Sequence, residues 1–429
     1  MANEIPNGMS QMHLVSVSDE IEGNESIYEF LPYSSLRRWL YEGSVYEKAL
    51  RELPLGRLGG VKSLSFLSYL GEDPESVNCA YPAHHTRYDH SLVVGIVMEE
   101  ILKQNCFPQD EINKGILAGL IHDIATPAHG DATKSVDPKN LEEEDFWAEV
   151  IGKKGLDFLA THGLNEEEMD KIVHNQGVLG KVLDAADRIT YTMKDVFSLY
   201  ESLASPRNIN PIFFPLHEIT TRNPLVGDVY KDINIRRSTG EVYFSDPERL
   251  FDFLRLRAVM SKNYYHNPSS QGRDFLIRRL IEPLYSTSVH SILNPSSLRR
   301  MDDNQLLAII SQSYGAGMPI CMFDELINWH PQYEVCYTEG EAREKEEELK
   351  KEQDIWVLGT RYCKGFNTAS DTLVLFEGQV SPFKEAMPHK AAELDEMSDA
   401  IKGFYVFYVP QGKNAMVDSL LTRLSGKKH

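Results

Sequence analysis

Residues 113–124 read NKGILAGLIHDI, and this stretch decides the fold. It is a nearly continuous apolar helix, the kind that sits in the centre of a bundle rather than on its surface. His122 and Asp123 follow GILAGLI directly, so an imidazole and a carboxylate are drawn into the interior at the helix's last turn, where an unpaired charge is costly. Pro127 ends the segment. Outward from it, SLVVGIVMEEILKQN (91–105) spaces its apolar residues for one buried face. VLGKVLDAADRITYTMKDVFSLY (178–200) places Leu179, Val182, Leu183, Ala186 and Ile189 on another inward stripe. Between them, the acidic stretch LEEEDFWAEVIGKKGLDFLATHG and the segment EEEMDKIVHN read as further helices. The predicted class is mainly α.

The flanks are less regular. Residues 12–46 read as a short strand, a turn at Glu22–Asn24 and a first helix in PYSSLRRWLYEG, while 203–228 is Pro- and Asn-rich and irregular. VYKDINI and EVYF, joined through Ser-Thr-Gly, predict a β-hairpin, after which helices resume at Pro247. Beyond about residue 318 a polar helix (GEAREKEEELKKEQ) leads into strand-like WVLGTRYCKGF, TLVLFEG and FYVFYV, with a helix (HKAAELDEMSDAIKG) before the last strand. The expected organisation is a domain over 1–317 and a small α+β C-terminal lobe over 318–429. The first comprises a helical core at about 47–200, a hairpin insertion at about 226–246 and further helices at 247–317.

Composition narrows the function. The 429 residues are 42% hydrophobic and 25% charged, as in an ordinary globular protein, and exceed the usual span of one core. A formal charge of −20 argues against nucleic acid as the main partner, since that work needs Lys and Arg to replace counterions along phosphates. An anionic small molecule remains compatible, provided that a local cation or metal offsets the field. Five cysteines without a CxxC pair suggest neither a disulfide framework nor a thiolate zinc site. The N-terminus lacks a basic segment followed by an apolar one, and no apolar run reaches membrane-span length, so a cytoplasmic, unanchored chain is expected.

Three fragments carry the chemistry: HTRYDHS (85–91), IHDIATPAHGD (121–131) and DAADRITY (184–191). Each sets a His or Asp on or beside an apolar helix. A divalent cation would compensate such buried groups, because neutral imidazole and ionised carboxylate are good ligands and a mixed shell leaves water positions open.

The order His90, then His122-Asp123, then Asp187 resembles the H...HD...D signature of the HD superfamily. More specifically, LGRLGGVKSLSFL (55–67) leading to YPAHHTRYDHSLVVG (81–95) is similar to the deoxynucleoside triphosphate triphosphohydrolase branch, over roughly residues 13–200 with a fainter echo to about 285. The resemblance implies an HD-domain helical bundle in which His90, His122, Asp123 and Asp187 ligate one divalent metal per chain, whether Mn, Mg, Fe, Ni, Co or Zn. It implies a phosphate contact by Arg87 and a substrate wall of Arg188, Tyr191 and Asp195. The positions 187, 191 and 195 share one helix face at i, i+4 and i+8. RLRAVMSKNYYHN (255–267) resembles the stretch that approaches the nucleotide, adding Lys262, Tyr265 and His266. The implied activity is metal-dependent phosphohydrolysis of nucleotides, foremost deoxynucleoside triphosphates, with attack of a metal-bound water on phosphorus by a homo-oligomeric enzyme.

Several positions depart from the pattern. Where relatives read HDxGHxPFxH, this chain has Thr126 and Asp131 at the two later histidines and a histidine at 129 instead. The expected roles are a general acid for His129 and, for Asp131, an orienting residue, a second-metal ligand or a helix N-cap. The relatives' "HE" element is replaced by LEEED (141–145). His162 and His174 read as surface histidines or as additions to a dinuclear site, and His84 as a loop residue. Other classes stay open: an HD phosphomonoesterase or phosphodiesterase, a dinuclear-iron oxygenase, and a non-catalytic nucleotide-binding HD module.

Overall fold

Capping chemistry sets where the first core helices begin. The computed structural model describes residues 43–63, 85–203, 219, 226–266, 268–314, 331–412, 418 and 421–422. The expected strand and helix within 12–43, together with His84 and most of 203–225, lie outside the described residues. Helix α1 (Val45–Glu52) starts at Ser44, whose hydroxyl accepts from the Glu47 amide, and a 3-10 turn follows at Leu55–Gly60. Helix α2 (Arg87–Gln104) opens with a capping box: Thr86 Oγ1 accepts from the Asp89 amide, and the Asp89 carboxylate accepts from the Thr86 amide at 2.9 Å. That cap puts Arg87 at the first helical position and His90 one turn in.

Helix α3 (Gln109–Ile121) is the apolar run of the sequence, and eight of its residues are buried. It ends earlier than Pro127: the chain leaves the helix at His122 and turns through residues 122–126, with the Thr126 amide donating to the Asp123 carbonyl at 3.0 Å. Helices α2 and α3 meet at two glycines, where a Cβ on Gly119 would sit 2.8 Å from the Gly95 backbone. Gly119→Ala is therefore expected to destabilise the fold by about 1–2 kcal/mol, the overpacking of two backbones exceeding alanine's better helix propensity. Chemical denaturation measures it, and an unchanged midpoint would refute the close approach.

Short helices α4 (Gly130–Lys134) and α5 (Pro138–Leu141) lead to α6 (Trp147–Thr161), kinked at Gly152, and α7 (Glu166–Val173). The acidic residues 142–144, expected within a helix, form a non-helical link instead. Helix α8 (Gly177–Leu203) completes the bundle, and Leu179, Val182, Leu183, Ala186 and Ile189 are all buried as the stripe predicts. Val229–Asp232, expected as strand, form the end of a 3-10 helix (Val226–Asp232). The hairpin is thereby shortened to β1 (Ile233–Arg236) and β2 (Glu241–Phe244).

Helix α9 (Pro247–Met260) runs into a π-helical turn at Ser261–Tyr265, then α10 (Pro268–Ile281), α11 (Pro295–Leu298) and α12 (Asp303–Tyr314) follow. The C-terminal part holds β3 (Gln332–Cys336), α13 (Glu339–Leu349), β4 (Ile355–Cys363), β5 (Leu373–Phe376), β6 (Gln379–Pro382), α14 (Phe383–Ala386), α15 (Pro388–Asp399) and β7 (Gly403–Pro410). Strands β3, β7 and β4 form one antiparallel sheet. The other has the order β1-β2-β5-β6, with β2 parallel to β5 at Phe244 and Val374.

The main core gathers α2, α3, α8 and α9 with Val374, Phe383, Ala391 and Leu394. A second joins Leu276, Leu280 and Leu306 to Leu358, Phe407 and Val409. Both cores thus draw apolar residues from either side of residue 318. No helix among the described residues is long and apolar enough to cross a membrane.

Candidate metal centre

The end of α3, the first turn of α2 and the middle of α8 converge on one point. His90 Nε2 lies 2.8 Å from Asp187 Oδ1 and 3.5 Å from Asp123 Oδ2. His122 Nε2 lies 3.5 Å and 3.6 Å from the same two oxygens. His90, His122 and Asp187 form a group that could hold a metal ion, and Asp123 joins it through Oδ2. Metal–ligand bonds of about 2.0–2.2 Å separate neighbouring ligands of one shell by roughly 3–3.5 Å, so the spacing matches a single centre.

The donors are also correctly prepared. His122 Nδ1 lies 2.8 Å from the Gly119 carbonyl, which fixes the proton on that nitrogen and turns the Nε2 lone pair toward the carboxylates. Neither His90 Nε2 nor His122 Nε2 makes a hydrogen bond of good geometry among the described residues, as expected of nitrogens aimed at an ion. Charge accumulates accordingly. Burial opposes ionisation of Asp123 and Asp187, yet Arg87 and the imidazoles hold Asp123 well below the usual carboxylate range, and the two imidazoles do the same for Asp187. Burial lowers the pKa of His90. In His122 it is outweighed by Asp123 and Asp187, which raise the value to about 9.

Arg87 Nη1 donates to Asp123 Oδ2 at 2.6 Å. Its Nε is buried and has no partner among the described residues, leaving a donor for a ligand beside the cluster. Burial works against its charge, but Asp123, Asp131 and Glu143 more than offset that.

The other expected residues are placed as follows. Asp187, Tyr191 and Asp195 do run along one face of α8. Tyr191 accepts from Arg257 Nε at 2.8 Å, while Arg188 pairs with Asp184 at 2.8 Å. Asp195 is fully buried: Tyr265 Oη donates to Oδ2 at 2.6 Å, and His85 Nε2 lies 3.1 Å from Oδ1. It ties α8 to the π-helical turn and to the approach of α2. In that turn Lys262 is exposed, and His266, half-buried just after it, has its pKa lowered by burial and by Arg361.

His129 is fully buried and left-handed (φ 58°), with its amide donating to Asp303 Oδ1 at 2.7 Å. It is the N-cap of α4, so Asp131 is not that cap but an exposed first-turn residue, 3.8 Å from Lys134 Nζ. His162 contacts the Phe158 ring and carbonyl, and His174 pairs with Asp145. Neither joins a ligating group among the described residues.

Two contributors escaped sequence reasoning. Arg57, in LGRLGG, donates to the carbonyls of Ile124, Thr126 and Met301, and so fixes the loop that follows the His-Asp pair. Glu143 is buried, 2.7 Å from Lys134 Nζ, and lies within the field of Asp123 and Arg87; burial raises its pKa. Its position in LEEED, where the relatives carry "HE", was the signal.

No family model matches the chain, and no curated protein matches it by sequence. The fold itself is shared with solved structures. A phosphohydrolase from Bacteroides thetaiotaomicron VPI-5482 aligns with a TM-score of 0.61 at 13% identity, over 86% of this chain and 96% of its own. A hypothetical protein from Aquifex aeolicus aligns with a TM-score of 0.59 at 18% identity, over 89% and 96% respectively.

Proposed function

We propose that this protein is an HD-type metal-dependent phosphohydrolase acting on nucleotides, with deoxynucleoside triphosphates as the leading substrates. The observation that carries the reading is the convergence of His90, His122, Asp123 and Asp187 beside a half-buried arginine whose enclosed Nε–H is unspent. The fold shared with a phosphohydrolase and the resemblance of 55–67 and 81–95 to the triphosphohydrolase branch support it.

A divalent cation held there would polarise a phosphoryl oxygen and lower the pKa of a water. Arg87 then presents its free Nε edge to a non-bridging oxygen while Asp123 holds the guanidinium in place. Arg188 and Lys262 add positive charge farther out, and Tyr191 shapes the wall against the nucleoside, with Asp195 buried behind it where it braces Tyr265 and His85. The enclosed ring of His129 is lowered in pKa by burial, which disfavours its protonated form. Glu143, buried in the field of Asp123 and Arg87, is a second candidate beside His129 for proton transfer to the leaving oxygen, and Asp131 orients groups at the rim.

Incubation of the metal-loaded protein with a panel of nucleotides, with products identified by mass, tests this reading. Deoxynucleoside plus triphosphate is the expected outcome. Orthophosphate or pyrophosphate release would reassign the reaction, and bound nucleotide with no released phosphate species would favour the non-catalytic module. Two irons per chain would favour the oxygenase.

A further inference from the structure

Asp303 is a buried carboxylate at the start of α12 that does not cap its own helix. Asp302 provides that cap: its Oδ1 accepts from the Gln305 amide at 2.8 Å, and Gln305 Oε1 accepts from the Asp302 amide at 3.0 Å. Both oxygens of Asp303 are spent instead on amides from segments far away along the chain. Oδ1 accepts from the His129 amide at 2.7 Å, in the loop that follows the His-Asp pair, and Oδ2 accepts from the Lys62 amide at 2.9 Å. Gly60 lets the chain come this close, since a Cβ there would lie 2.7 Å from Asp302 Cβ.

Each amide leads to the metal centre through direct contacts. Lys62 pairs with Thr86 in an antiparallel bridge, where the Arg87 amide donates to the Val61 carbonyl at 2.8 Å and the Ser63 amide to the His85 carbonyl at 3.2 Å. The flanking residues exchange the hydrogen bonds of such a pair, which turns the Lys62 amide away from Thr86 and toward Asp303. On the other side, His129 follows Asp123 through two tight turns, closed by the Thr126 amide on the Asp123 carbonyl at 3.0 Å and the Gly130 amide on the Pro127 carbonyl at 2.8 Å. Arg87 Nη1 donates to Asp123 Oδ2 at 2.6 Å, and the circuit closes. It runs from Asp303 through Lys62, Val61 and Arg87 to Asp123, and back along the loop to His129. Arg57 braces the same loop, joining the carbonyls of Ile124 and Thr126 to that of Met301, just before Asp303.

We propose that Asp303 is a positioning residue for the phosphohydrolase reaction: it holds the loop after the metal ligands and the strand before Arg87 against each other, and so aims the Arg87 guanidinium at the substrate phosphate. The inference rests on the phosphohydrolase reading and deepens it. A carboxylate suits this place because its two oxygens accept from two directions and charge-assisted bonds are short and strong. Asparagine offers one acceptor oxygen, so one of the two amides would lose its partner. Asp303 acts through backbone amides alone, so its loss should fall on the placement of Arg87 and leave the metal bound.

The test uses full-length, metal-loaded protein, with metal content, thermal midpoint and steady-state kinetics on a nucleoside triphosphate measured for each variant. Asp303→Asn is expected to keep its metal and to lose roughly 10- to 100-fold in kcat, the scale of a small misplacement, with KM changed less than about threefold. In an Arg87→Ala background the same substitution should cost less than about threefold, because no guanidinium is left to aim; costs that multiply independently would overturn the proposal. Asp302→Ala removes the cap of α12 but no part of the circuit, so it should lower the thermal midpoint and leave kcat at the wild-type value. A fall in kcat there equal to that of Asp303→Asn would reduce Asp303 to a support of the fold. If Asp303→Asn does not fold, Lys62→Pro carries the test: it removes one of the two donors, and Val61 already has the extended backbone (φ −106°, ψ 114°) that precedes a proline. The same loss of kcat with metal retained supports the proposal, and wild-type kcat sinks it. Wild-type turnover with an unchanged Asp303→Asn rate removes Asp303 alone, whereas a wild type that turns over no nucleotide removes the phosphohydrolase reading and this role with it.

Discussion

Asp187→Ala is expected to lose bound metal and phosphohydrolase activity together, the activity by more than about a thousandfold, on the scale of losing charge stabilisation at a reacting phosphate. The reason is geometric. Asp187 Oδ1 is the atom both imidazoles approach, at 2.8 Å from His90 Nε2 and 3.5 Å from His122 Nε2. Alanine removes an oxygen ligand from the centre of the group and leaves the two buried imidazoles with Asp123 as the one carboxylate of the four-residue set. Metal content per chain and product release, measured on the same preparation, check this. Unchanged metal stoichiometry would count heavily against the assignment of α8 to the metal.

Arg87→Ala is expected to act differently: metal retained, kcat/KM reduced by roughly 10²–10³-fold, as for removal of one preorganised donor at a developing charge. Arg87 touches the centre only through Asp123, so the loss should fall on substrate use, and Arg87→Lys should recover little because an ammonium cannot both hold Asp123 and present a second edge. Metal content with initial rates across a substrate range separates the cases. If the variant cannot hold metal, Arg87 is a structural brace for Asp123 and the phosphate-contact role is wrong.

Much of the fold was legible because it is written in local periodicity, while the four candidate ligands were named through the resemblance to the HD signature. The helices 91–105, 113–124 and 178–200 announce themselves by apolar spacing, and the i, i+4, i+8 relation of Asp187, Tyr191 and Asp195 follows from helical geometry. What the sequence could not convey is long-range. Nothing around Asp195 indicates that its two oxygens are taken by Tyr265 and His85, from segments far away along the chain. Nothing near Arg57 says that it clamps the carbonyls after the His-Asp pair. The strand Gln332–Cys336 was missed because a five-residue edge strand with one buried residue has little pattern to show. Val229–Asp232 show the opposite error, since β-prone residues there take a 3-10 turn fixed by packing of Val229 and Tyr230.

The parallel pairing of β2 with β5 also orders events in time. The helices bearing His90, His122, Asp123 and Asp187 are complete once residue 203 has been synthesised, whereas the free edge of β2 waits for Val374 to emerge. During that interval a nascent chain has the helices of the candidate metal centre but lacks the strand that covers the β2 edge and the Val374, Phe383, Ala391 and Leu394 that complete the main core. Such a non-local closure is expected to be slow, and chains that have yet to make it are expected to aggregate more readily than the finished fold. Truncation before Val374 is thus expected to leave the earlier helices with an open strand edge and an incomplete core, a demand on folding separate from any on binding.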